Sequence, residues 1–240
     1  MYLIAFLVAF FLTPRLQKHR QLELPTDEWS RIISAAIVGV IVGGRLGYVF
    51  FYDPLYFLSN PLKIVAVWEG GMASHGGFIG VAVALLYVLR RRSWQDILKI
   101  ADTISIPVIL GLGIGRIGNF INQELYGTVT NLPWGIAVPD AAGLRHPVQL
   151  YEFGTSVLIA TLLFWHLRRT NATPGRTFAL FLLLYGIVRI FLEWVRVHAS
   201  PPLLFGSIPL YREQLLTLPI LLVGMIILLS KKRSQEQLSA

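Results

Sequence analysis

Cysteine is absent from the 240 residues, which excludes disulfides, zinc–thiolate centres and any cysteine nucleophile supplied by the chain itself. Charge is scarce as well: 14% of the residues carry it, against about 25% in ordinary soluble domains. Together with 55% hydrophobic residues and a mean hydropathy of +0.62, that scarcity points to a membrane protein. No G-x-x-x-x-G-K-[ST] loop, H-E-x-x-H pair or G-x-S-x-G elbow occurs, so nucleotide use, zinc-protease chemistry and serine hydrolysis have no motif to stand on. No cofactor and no metal are expected. Acidic residues are outnumbered 13 to 21, giving a formal charge of +8. The basic residues sit mostly in short loops between apolar runs, where they record membrane orientation. No basic stripe interleaved with aromatics is present, so nucleic acid is not an expected partner.

What is there is a series of apolar runs. Residues 1–13 are apolar with no basic region ahead of them, unlike a standard signal peptide, and cover roughly 20 Å of a roughly 30 Å hydrocarbon core. A second run, about 32–52, carries Gly39, Gly43 and Gly47 at four-residue intervals, a seam for close helix approach. Arg45 lies inside it, read either as a group of the site or as an arginine snorkelling from a helix end. Residues 53–72 are aromatic and broken by prolines, the pattern of an interfacial arm. Further spans are expected at about 73–89, from about 100 into 111–127, and at about 148–167, 177–195 and 213–230. The polar excursion 123–146 reads as a small outer cap. The expectation is one all-α polytopic domain over 1–240 with about seven transmembrane helices.

Within this apolar frame the polar groups are few and clustered. Arg116, Asn119, Asn122 and Glu124 fall within nine residues at a membrane boundary, where unpaired polar groups are costly and therefore candidates for function. His75 opens the third span beside two glycines that leave its ring uncovered. Tyr185, Arg189, Glu193 and Arg196 share one arc of the sixth span, and Arg189 and Glu193 can pair at i, i+4. Fourteen of the 21 Lys and Arg residues fall in 14–31, 90–99, 168–176 and the tail beyond 230, which lie on one side if all seven spans cross. The positive-inside rule makes that side cytoplasmic, with the N-terminus outside and the C-terminus inside. The other face collects His75, Asn119, Glu124, Arg145, His146, Glu193 and Arg196. Arginines facing a membrane cavity suit a lipid phosphate, which guanidinium holds in a bidentate fork. Glu124 and Glu193 are expected to fix the arginines, and the amides of Asn119 and Asn122 to take headgroup hydroxyls. The residues alone reach an outward-facing site for an anionic lipid, with a non-catalytic lipid-binding or flipping protein as the alternative.

The segments GGRLGYVFF, WEGGMASHGGFIG, GLGIGRIGNFINQELYG, RHPVQLYE and YGIVRIFLEWVR occur in an order that resembles the bacterial prolipoprotein diacylglyceryl transferases over nearly the whole chain. The resemblance implies a seven-span enzyme of the bacterial inner membrane. It would move the diacylglyceryl group of phosphatidylglycerol onto the lipobox cysteine thiol of a preprolipoprotein signal peptide, releasing glycerol phosphate. By motif, it marks His75, Arg116, Asn119, Glu124, Tyr185, Arg189 and Glu193 as important positions; with a thiol to ionise and a phosphate to leave, His75, Arg116, Arg189 and Glu193 are expected to be catalytic, His75 as the candidate base. Asn119, Asn122, Glu124 and Tyr185 would join the two arginines in binding phosphatidylglycerol. The chain departs from the family pattern at Gln123, where glycine is usual, and MYLIAF resembles the middle of the family's first helix. An outer segment with an Arg-Trp-Tyr-Gly run is therefore expected ahead of residue 1, and the form starting at Met1 is expected to transfer lipid poorly.

Overall fold

The computed structural model describes residues 1–139, 141–169, 173–198, 203–205 and 208–236, excepting the side chains of Tyr2, Ser74, His75, Phe205, Ile208 and 231–236. Among the described residues seven helices have fifteen or more residues: α1 Tyr2–Leu16, α2 Thr26–Phe51, α4 Ser74–Leu89, α5 Trp94–Ile121, α6 Val148–Arg168, α7 Arg176–Glu193 and α8 Arg212–Glu236. A short helix, α3 Pro54–Ser59, follows α2. Four segments, Thr26–Phe51, Trp94–Ile121, Val148–Arg168 and Arg212–Ser230, are long and apolar enough to cross a membrane. The protein is a multi-pass helical membrane protein. Exposed Val38, Ile79, Val83, Leu222 and Ile226 would be a liability in water, and lipid covers such surfaces in a bilayer. The chain divides into two compact units, residues 23–97 and residues 1–22 with 98–240.

The smaller unit is built on α2 and α4. Asp27 and Glu28 complement the positive start of α2, and Pro25 precedes it. Where the glycine spacing predicts a close approach, the two helices come together at Gly39, Gly43 and Gly47 of α2 and Gly76 and Gly80 of α4. A Cβ on Gly39 would stand 2.7 Å from the Gly80 carbonyl oxygen, and one on Gly47 2.7 Å from the Gly76 Cα. Lipid tails supply no hydrophobic drive between helices, so this backbone contact is what dispersion can use. Ala73 N–H donates to the Gly44 carbonyl at 2.9 Å and sets the entry to α4. Arg45 does not snorkel. It is buried, with Nε on the Ile64 carbonyl at 2.9 Å and Nη1 on those of Gly70 and Gly71, while Nη2 takes that of Lys63. A guanidinium replaces its water with peptide oxygens here, tying residues 53–72 to α2. Those residues form α3 and two single turns, Pro61–Val65 and Val67–Glu69, with Leu58, Leu62 and Trp68 exposed.

In the larger unit α1, α5, α6 and α7 share a core of Leu16, Ile106, Ile109, Ile159, Leu163, Leu167 and Phe181, and α7 packs on α8. Helix α5 begins at a capping box, Ser93 Oγ accepting from Asp96 N–H at 3.1 Å while donating to its carboxylate at 2.7 Å. It starts before the expected residue 100 and stops at Ile121, so Asn122 and Glu124 lie beyond its end. Gln123 and Leu125 there adopt left-handed φ of 55° and 56°. That conformation is why glycine suits position 123, and glutamine holds it at a cost of about 1 kcal/mol. In the excursion that follows, Val129 and Ile136 each bridge to Arg145, while Gly127 bridges to Arg196. The stretch after α7 contains a short antiparallel pair, β1 Leu203–Phe205 and β2 Ile208–Leu210.

Candidate functional site

Three guanidinium groups of the larger unit converge on one carboxylate. Glu152, in the second turn of α6, forms an ion pair with Arg116 of α5, Oε2 standing 2.9 Å from Nε. Its Oε1 receives Arg189 Nη1 of α7 at 2.7 Å and Arg196 Nη1, just past α7, at 2.8 Å. A second carboxylate, Glu193, is 1% exposed and stands 3.2 Å from Arg189 Nη2 and 3.6 Å from Arg196 Nε. The pairing of Arg189 with Glu193 at i, i+4 is the one the sixth-span spacing predicts. The backbone at Arg196 is held by residues 127 and 128 as well, since Gly127 bridges to Arg196 and Thr128 N–H donates to the Val195 carbonyl at 2.9 Å.

The charge balance of this cluster is uneven. Three arginines face two carboxylates, leaving one positive charge in excess where little water reaches. Burial, with Arg189 alongside, lowers Arg196 from the ordinary guanidinium value. An anion arriving here would relieve that strain. The cluster also has an open side: Arg116, Glu152 and Arg189 line a cleft with Thr155, Ser156 and Tyr185, and its apolar wall is Ile109, Leu112, Ile159, Val188 and Leu192. Charge at one end and a mostly aliphatic wall along the rest is the profile of an anionic lipid.

The expected amides form a relay on the far side of Arg116. Arg116 Nη1 donates to Asn119 Oδ1 at 3.3 Å, and Asn119 Nδ2 donates to Glu124 Oε1 at 2.7 Å. Asn122 Nδ2 reaches the same oxygen at 3.5 Å. The structure therefore departs from the expectation that Glu124 fixes an arginine directly: Glu152 does so, and Glu124 holds two asparagine amides. Tyr185 stacks on Phe181 with centroids 6.0 Å apart and lines the cleft. His75 belongs to the smaller unit, where the backbone of α4 carries it at the second position; its side chain lies outside the described residues.

Sequence reasoning named Arg196 without placing it in the site and passed over Glu152 altogether. The signal was present in RHPVQLYE, where Gln149 and Glu152 sit i, i+3 and Glu152 is the one acidic residue of the helix. His198, also unforeseen, stacks on Tyr211 at 3.6 Å and bonds the Glu193 carbonyl through Nε2 at 2.8 Å. With Glu193 and Glu213 it forms a group that could reach one metal ion, its ligand atoms within 4.8 Å of one another. Two arginines already lie on Glu193, and they oppose a cation there.

An arginine-rich polar cluster at one end of an apolar cleft, in a multi-pass helical protein, defines a membrane protein that handles an anionic amphiphile. The sequence comparison narrows the class. The family described as prolipoprotein diacylglyceryl transferase matches residues 1–230, and the chain belongs to that family. It is 42% identical over 237 residues to the phosphatidylglycerol–prolipoprotein diacylglyceryl transferase of Geobacter sulfurreducens, covering 97% of this chain and 90% of the relative. It is 39% identical over 242 residues to the enzyme of that name from Bordetella avium, covering 99% and 90%. The Nitrosomonas europaea enzyme of the same name is 40% identical over 235 residues, covering 95% and 84%.

Proposed function

We propose that this protein transfers the diacylglyceryl group of phosphatidylglycerol to the cysteine thiol of a preprolipoprotein lipobox, forming a thioether and releasing glycerol phosphate. The observation that carries this reading is the convergence of Arg116, Arg189 and Arg196 on Glu152 at the charged end of the cleft. The thiolate sulfur attacks the glycerol carbon bearing the phosphate, the S–C bond forms and the C–O bond breaks. The electron pair leaves on the phosphate, so a monoanionic diester becomes a monoester approaching a dianion. Guanidinium groups aimed at those oxygens bind the transition state more tightly than the ground state. Glu152 and Glu193 hold the guanidiniums in place before the lipid arrives, so that little reorganisation remains at the moment of reaction.

The thiol proton needs an acceptor, because a free cysteine has a pKa near 8.5. His75 is the group assigned to that task, on the strength of its HGG setting. Tyr185, Asn119, Asn122 and Glu124 line or extend the lipid site. The whole chain acts as one catalytic domain of seven spans, with residues 53–72 lying along the interface and residues 123–146 capping the outer side. The basic loops face the cytoplasm, which leaves the site opening outward from the inner membrane.

Purified protein incubated with phosphatidylglycerol and a lipobox peptide tests the reading. A thioether-linked diacylglyceryl peptide with stoichiometric glycerol phosphate is the expected product. Lipid binding without either product would make this a binding protein and overturn the proposal.

A further inference from the structure

The mechanism above leaves the buried Gln149 without a role. Gln149 opens the inward stripe of α6 that continues to Glu152 and Ser156, at i, i+3 and i+7, and all three side chains are buried. Its Nε2 donates to the Glu124 backbone carbonyl at 2.7 Å. That bond fixes the amide's orientation, since only the NH₂ end can donate to a carbonyl. Its Oε1 is buried and accepts no hydrogen bond from the protein. An orphaned amide oxygen costs about 1–3 kcal/mol unless something else supplies a donor. Glu124, whose carbonyl anchors Gln149, is the terminus of the amide relay from Arg116.

The direction of the cleft says what that donor is. Along α5 the lining runs from Ile109 and Leu112 to Arg116, and along α6 from Ile159 to Glu152. A lipid with its chains on the apolar wall and its phosphate at the arginines carries its headgroup onward, toward the start of α6. One helical turn beyond Glu152, about 5 Å, is Gln149. That distance suits a hydroxyl two or three bonds past the phosphate. Glycerol supplies such a hydroxyl. An ammonium headgroup would instead meet the excess positive charge of the arginine cluster.

We propose that Gln149 is a specificity-determining residue whose Oε1 accepts a hydrogen bond from a hydroxyl of the lipid's polyol headgroup. This rests on the reading that the arginines take the lipid phosphate.

The test compares phosphatidylglycerol with phosphatidyl-1-propanol, the same headgroup without hydroxyls, in mixed micelles with a lipobox peptide. Wild type prefers phosphatidylglycerol in kcat/KM by about tenfold or more, the order expected when a buried acceptor is left unpaired. Gln149→Met removes the acceptor at similar volume. It lowers kcat/KM for phosphatidylglycerol by that factor and leaves the propanol lipid unchanged, so the preference disappears. Equal loss on both lipids would give Gln149 a structural role and overturn the proposal. So would a wild type that does not distinguish the two lipids, a result that needs no variant to fold. Arg189→Lys is the control for the underlying reading: it lowers both lipids alike. Unchanged rates in that variant would remove the phosphate assignment and this proposal with it.

Discussion

Helix α7 has a buried arginine–carboxylate cluster at each end, and the two are built differently. At its start, Asp102 of α5 accepts from the backbone N–H groups of Gly175 and Phe178, both at 2.8 Å, and from Arg20 Nε at 2.9 Å. Thr177 takes Arg20 Nη2 and lies 3.0 Å from His166 Nδ1. One arginine meets one carboxylate, both carboxylate oxygens are filled from the protein, and the carboxylate stabilises the positive end of a helix. At the other end three arginines meet two carboxylates beside an open cleft. Burial and hydrogen bonding are common to the two clusters. Charge balance separates them: the first sets one guanidinium against one carboxylate, and the second has one guanidinium more than it has carboxylates, an excess an anionic ligand can neutralise. A buried ion pair is thus weak evidence of function until its charges are counted.

The largest effect expected from this contrast is at the unbalanced end. Arg116→Lys and Arg189→Lys keep the charge and lose the fork, and each should lower turnover by roughly a hundredfold at matched protein levels, as loss of one transition-state donor does elsewhere. Thioether formation in membranes reads this directly, and near-normal rates in both variants would mean that phosphate is not held bidentately. His75→Gln sharpens the same point from the thiol side. If His75 removes the proton, activity falls at neutral pH and returns in part toward pH 9, where the peptide thiol ionises unaided. A pH–rate profile depressed equally throughout would assign His75 to positioning.

At the balanced end the effect should fall on stability. Asp102→Asn leaves Arg20 buried without its counter-charge and weakens the start of α7, a loss of about 3 kcal/mol. Thermal unfolding in detergent should shift down while the rate per folded molecule stays close to wild type. The smallest effect is expected at Gln123, held at a φ of 55°. Gln123→Gly removes the strain and should stabilise by about 0.5–1 kcal/mol without changing turnover. A destabilised variant would show that the glutamine side chain contributes more than its backbone costs.

Much of this was legible in the chain because a membrane makes polar residues conspicuous. Arg116, Asn119, Glu124, Arg189 and Glu193 stood out against apolar sequence, and the glycine seam of α2 predicted a close approach that α4 completes. What one dimension hides is convergence. Nothing in the spacing of Arg116, Glu152 and Arg196 announces that three segments bring them to one point. Glu152 also lies within two turns of the polar stretch 123–146, where a carboxylate looks like the end of a loop. Arg45 misled for a related reason: its partners are backbone carbonyls 18–26 residues away, and a carbonyl leaves no mark in a sequence. Helix α5 ends at Ile121, inside the stretch 111–127, but the left-handed turns at Gln123 and Leu125 just beyond it are a conformation glutamine and leucine do not advertise.

The most direct test of the account sets Arg189→Lys beside Asp102→Asn in one experiment, with thioether formation per folded molecule and thermal midpoint measured on the same preparations. The account predicts a crossed result: Arg189→Lys loses turnover by roughly a hundredfold with its midpoint nearly unmoved, and Asp102→Asn loses stability with turnover retained. Parallel losses of both quantities in both variants would contradict it, because the two clusters would then be doing the same structural job.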